Sequence, residues 1–268
     1  MHERLRPGRT RCMMPAWPRR TRSLGIGGSM RISRTTLSIL TITALAVGGV
    51  AAPASAAPDS QHPASASSKL PAGDRARIAQ RLVDFGVPAE LRAGLLDGID
   101  HDRVLDAATG ATPTSTDTLV HDGLAYEVSR FADGSFTATA VEKPKSGSAV
   151  RPDDIQDCSR YTGAGVTEYS HCLVISDTPT LTLQFRASYY RSGRASGIDE
   201  ISDWDIQAYA GSCAIQEFDI VKARYGSATG PAKARLRCFA NAVSGIASSY
   251  PYLDLVVDGS GARSASNF

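Results

Sequence analysis

In the stretch TLTLQFRASYY, residues 180–190, apolar and polar side chains alternate without a break. Leu181, Leu183, Phe185, Ala187 and Tyr189 share one face; Thr182, Gln184, Arg186, Ser188 and Tyr190 share the other. A period of two is a strand period, because consecutive side chains on a strand point to opposite faces. The pattern recurs. Ala234, Leu236, Cys238 and Ala240 alternate with Lys233, Arg235 and Arg237. Trp204, Ile206 and Ala208 alternate with Asp203, Asp205 and Gln207, and Leu253, Leu255 and Val257 repeat the spacing. Strands with one apolar face must bury it against another layer. The spacing therefore predicts a mainly β chain in which residues 158–268 form an antiparallel β-sandwich or small barrel, with Trp204 in its core. About 110 residues is an ordinary size for one such domain.

A different period precedes it. In GDRARIAQRLVDFG, Ile78, Leu82 and Phe85 recur at helical spacing, with Asp74 placed to cap the start and Gly86 to stop the helix. Pro88 opens a second helical stretch with Leu91, Leu95 and Leu96 on one stripe. The alternating segment that follows carries two turn signals, Asp122-Gly123 and Asp133-Gly134, and reads as a meander or a strand pair. A helical pair of this size cannot bury enough surface alone. Helices laid on the strands give a small α+β module over 72–143. Residues 144–157, rich in Pro, Gly, Ser and charge, read as a linker.

Residues 30–56 show a basic start (Arg31, Arg34), an apolar run and a closing Ala54-Ser55-Ala56. That is the pattern of a secretory signal peptide, and the run is too short for a good membrane span. Residues 1–29 read as an upstream extension ahead of Met30, and 57–71 as a flexible lead-in. The whole chain holds 29 basic and 27 acidic residues. Nine arginines and one acid lie in 1–56, so the remainder carries 20 basic and 26 acidic side chains, net −6. Phosphate contacts need a basic footprint, so nucleic acid is not an expected partner. No stable membrane insertion is expected after signal cleavage.

Four cysteines remain beyond the leader: Cys158, Cys172, Cys213 and Cys238. An even count in an exported chain reads as two disulfides, of which three connectivities are possible. Cys158–Cys172 and Cys213–Cys238 are preferred because each closes a short loop, the first around the turn residues TGAG, 162–165. Zinc ligands come in close pairs, whereas these cysteines are spread singly and His171 adjoins Cys172. No metal and no cofactor is expected.

No Ser-His-Asp, H-E-x-x-H, G-x-S-x-G, P-loop or G-x-G-x-x-G pattern occurs, so no catalytic residue is assigned. Two weaker clusters remain. Asp199, Asp203 and Asp205 concentrate carboxylates that could meet calcium, although EF-hand spacing is absent. Tyr250 and Tyr252, in SSYPY, could offer rings to a sugar.

Two further patterns carry a resemblance. The segment RIAQRLVDFGVPAELRAGLLDGI followed by YEVSRFADGSFTATAVE resembles the N-terminal part of a group of uncharacterised secreted bacterial proteins. LTLQFRASYY, PAKARLRC and VVDGSGARSAS resemble the C-terminal part of the same group. The resemblance implies secretion and this two-part fold, and it supplies no catalytic residue. The expectation is an extracellular binding module for cell wall, polysaccharide or a protein partner. The rivals are a secreted antagonist (protease inhibitor or antibacterial toxin) and a hydrolase whose site is not visible in linear sequence.

Overall fold

The computed structural model describes residues 70–144, 157–192, 195–242 and 248–268. The expected extension, signal and most of the lead-in lie outside these residues, as do residues 145–156 of the expected linker. Two helices, α1 (Ala72–Asp84) and α2 (Ala89–Asp100), precede twelve strands. The strands are β1 (Ser115–His121), β2 (Leu124–Arg130), β3 (Phe136–Val141), β4 (Ser159–Gly163), β5 (Val166–Asp177), β6 (Leu181–Ser192) and β7 (Ser196–Ala208). They continue as β8 (Ser212–Lys222), β9 (Ala232–Asn241), β10 (Ser248–Ser249), β11 (Tyr252–Val257) and β12 (Ala262–Ser266). All pairings are antiparallel, in two sheets. The larger runs β1-β2-β3-β5-β6-β7, with β4 beside the first half of β5. In the smaller, β9 lies between β8 and β11, β12 flanks β11, and β10 pairs with the end of β9. The mainly β, sandwich-like expectation holds, and the sheets do not close into a barrel.

The strands of 115–141 do not stand apart from those after Cys158. Strand β3 pairs with β5 from Ala138↔Asp177 to Val141↔Val174, which makes one continuous sheet. Consequently β5 is a wall between two cores. Val174 points inward with Leu183, Phe185, Leu236, Leu253 and Leu255. Ile175 points outward with Ile78, Leu82, Phe85, Leu95, Val128 and Phe136, under the helices. Burying side chains of this size stabilises by roughly 1.5–3 kcal/mol each.

Helix α1 buries Ile78, Leu82 and Phe85 as the spacing predicts. Its start differs: Pro71 is the cap, and Asp74 sits in the first turn, 3.3 Å from Arg77. Proline presets the entry dihedral without supplying a side-chain acceptor. Gly86 stops the helix at φ 68°, where it donates to Val83 O while Val87 donates to Leu82 O. On α2, Leu95 is buried but Leu91 is 37% exposed. Gly134, at φ 86°, turns β2 into β3, and a Cβ there would sit 2.9 Å from Leu91 Cδ1. A side chain there would have to displace Leu91 as well as adopt a left-handed backbone.

A buried ion pair pins the helices down. Arg81 Nη2 lies 2.8 Å from Asp177 Oδ1 and donates to Thr178 O at 2.7 Å; Thr182 Oγ1 donates to the same carboxylate oxygen at 2.5 Å. The guanidinium also sits 4.5 Å from the Tyr209 ring centroid. Burial, reinforced by Asp177, pushes the Tyr126 phenol well above its usual value. Removing one partner of such a pair costs about 3–5 kcal/mol, because the other charge stays buried.

Both disulfides form as preferred, Cys158–Cys172 and Cys213–Cys238. The first spans the β4–β5 hairpin, whose two-residue turn places Ala164 and Gly165 at φ 51° and 77°. A primed turn of this kind matches the right-handed strand twist.

Candidate functional site

Among the described residues five non-glycine positions have positive φ: Asp102, Asp122, Ala164, His171 and Asp203. Asp122 and Ala164 occupy two-residue hairpin turns, and Asp102 follows the end of α2. His171 and Asp203, at φ 60° and 49°, lie inside strands. Both mark bulges. The β5–β6 register shifts between Tyr169 and Cys172, and Asp203 with Trp204 together oppose Phe185 across β6–β7. An extra residue in a strand locally re-aims side chains, and strained backbone collects at functional positions.

The two bulges flank β6 and bring their side chains together. His171 Nε2 lies 3.6 Å from Asp203 Oδ2. The His171 amide donates to Ser188 Oγ at 3.3 Å, and its carbonyl accepts from Arg186 Nη1 at 2.8 Å. Arg186 Nη1 also reaches Glu142 Oε2 at 3.3 Å, which in turn accepts from the Leu173 amide at 3.0 Å. His171 Nδ1 is buried without a hydrogen-bond partner. This polar chain runs over the outer face of the larger sheet, beside Gln184, Ser188 and Ser202. Trp204 stands at the second bulge and is 45% exposed. It is not in the sandwich core, contrary to the alternation. The extra residue at 203 lets Ile201 and Ile206 both pack against the core, and Trp204 keeps the parity of Ile206 and Ala208; but β7 is the edge strand of the larger sheet, and there the indole meets solvent.

The other expected ligand positions do not converge. Asp199 pairs with Arg224 at 3.1 Å, and that guanidinium lies 4.9 Å from the Tyr190 ring centroid. Asp205 accepts from the Ile206 amide at 2.9 Å and from Gln207 Nε2 at 2.7 Å. Asp203 accepts from Ser202 Oγ at 3.1 Å. The carboxylates turn to separate partners, and no three His, Cys, Asp or Glu side chains among the described residues could share an ion. Tyr250 is 56% exposed, with its ring 5.1 Å from that of Phe239. Tyr252 lies under Arg235, 4.2 Å from ring centroid to guanidinium. These tyrosines belong to the smaller sheet and the acids to β7 of the larger.

Two clefts lie among the described residues. One, about 300 Å3, lies between the α2 end (Ile99, Val104, Leu105), the β5–β6 turn and the ends of β8 and β9. Its lining is mostly apolar, with Asp102 and Arg103 as its titratable members. The other, about 400 Å3, is bounded by Tyr169, Tyr189 and β12. No helix among the described residues is long and apolar enough to cross a membrane. Period alone sets Trp204 in the core and gives His171 no role. His171 owes its place to a register shift against β6, and Trp204 its exposure to the edge position of β7, neither of which a strand read alone displays. No family model, curated protein or solved structure matches this chain.

Proposed function

We propose that the chain is an extracellular binding module that takes a polysaccharide along the β7 edge of the larger sheet. The observation that carries this reading is the exposed Trp204 indole, held on a rigid sheet beside hydrogen-bonding side chains. An aromatic plane offers a sugar ring a dry face, and neighbouring amides, hydroxyls and carboxylates meet its hydroxyl groups. Asp203 and Asp205, the chain neighbours of Trp204 on this edge, supply those groups, with Asp203 3.6 Å from His171 Nε2. Two disulfides suit an oxidising compartment, in keeping with the signal-like segment at 30–56. A hydrolase is less well supported, because the hydroxyls beside the His171–Asp203 pair, Ser188 and Ser202, bond to the His171 amide and to Asp203 and not to the imidazole.

The test is co-sedimentation of the protein, produced in an oxidising compartment, with purified cell wall and insoluble polysaccharides. Saturable loss from the supernatant with one polymer is expected. Trp204→Ala should weaken that binding at least about tenfold, since central aromatic contacts dominate such interfaces. Tyr250→Ala should leave it unchanged. Failure of every polymer, or full binding by Trp204→Ala, would overturn the reading.

A further inference from the structure

Along the open side of the sandwich β12 lies against β3 and β5, and the 400 Å3 cleft opens there. Tyr169 and Tyr189 form one wall, stacked with centroids 4.8 Å apart. Lys143, Arg160 and Arg191 line the cleft with them. The one carboxylate in the lining, Glu142, is engaged with Arg186 and the Leu173 amide. Among the described residues neither Lys143 nor Arg160 has an ion-pair partner. Arg191 reaches Gly259 O only at 3.4 Å through Nη2, and its Nε is buried with no acceptor. A buried donor left without an acceptor is costly, on the order of 1–3 kcal/mol. The chain beyond residue 56 is net −6, so three cations around one cleft with no carboxylate partner among the described residues are not the by-product of a generally basic surface.

We propose that this cleft is an oxyanion site, which takes the carboxylate or phosphate group of an anionic ligand. The two Nη groups of a guanidinium form a fork that matches two oxygens of such a group. Lys143 and Arg160, both exposed, add charge at the mouth. Burial, then the neighbouring Tyr169, pushes the Tyr189 phenol upward, so it stays protonated as a further donor. The cleft is lined by other residues than the Trp204 face, and the proposal stands whether or not that face binds sugar.

The test is a titration of the full 15N-labelled protein with sodium phosphate, sodium glucuronate or sodium chloride at fixed ionic strength. The readout is the Arg191 Nε–Hε resonance, assigned by its loss in Arg191→Lys. Saturable movement with phosphate, glucuronate or both, and none with chloride, is expected. Response to phosphate alone identifies a phosphate-bearing ligand, and response to glucuronate alone a carboxylate-bearing one. The doubly substituted Lys143→Glu, Arg160→Glu protein changes only exposed positions and should bind at least about tenfold more weakly. Movement that chloride reproduces, that never saturates, or that the double variant retains in full would overturn the proposal.

Discussion

The two halves of the larger sheet share strands and hydrogen bonding but have opposite fates on their outer face. Over β1–β3 and the end of β5, that face meets the helices, and Tyr126, Val128, Phe136, Ala138 and Ile175 are buried. Over β6 and β7 the same face stays open and carries Gln184, Arg186, Ser188, Asp203 and Gln207. The covered half follows regular pairing and is clamped by Arg81–Asp177. The open half carries the register shifts and both strained residues. A sheet that is locked by packing at one end can tolerate strain at the other, and strain is where side chains are re-aimed toward solvent.

The sharpest break in this contrast is a cavity under the helices. Phe136→Ala, at a fully buried position stacked 4.6 Å from Phe85, should cost about 3–5 kcal/mol in denaturant unfolding. Trp204→Ala, on the open half, should change stability by less than about 0.5 kcal/mol. Comparable losses at both sites would dissolve the distinction. A middle-sized effect of opposite sign is expected at the bulge. Asp203→Gly relieves a left-handed aspartate and should stabilise by roughly 1 kcal/mol while weakening polymer binding. Destabilisation instead would show that the Asp203–His171 contact outweighs the strain.

The smallest effect concerns acid. Asp133 is partly desolvated, which raises its carboxyl, but hydrogen bonds from Ser135 and the Asp106 amide outweigh this and hold it below its usual 3.8. A depressed folded value means stability that is present above the unfolded pKa and lost as pH falls through the folded one. Asp133→Asn should therefore lower stability slightly near neutral pH and shrink the loss on acidification below about pH 4. An acid limb identical to that of the parent would remove Asp133 from the account.

Much of this was legible in the linear chain because it depends on neighbours in sequence. Alternation at 180–190 and 232–241 follows from local backbone geometry, as do the Asp122-Gly123 and Asp133-Gly134 turns. The short separation of each cysteine pair likewise favoured the disulfides that form. Leu91 and Asp74 show the limit of local reading. A helical stripe does not reveal how wide the sheet beneath it is, and a capping residue type does not exclude a proline from the cap.

What only the tertiary structure decided depends on partners far apart in the chain. The β3–β5 pairing that makes β1–β7 one sheet, the Arg81–Asp177 clamp and the approach of His171 to Asp203 each link distant segments. Strand period is a property of one strand and can be read from its residues. A bulge is a property of two strands, because it exists only as a mismatch of register with the neighbour. That is why the alternation of β7 was visible in the sequence while its break at Asp203 was settled by β6.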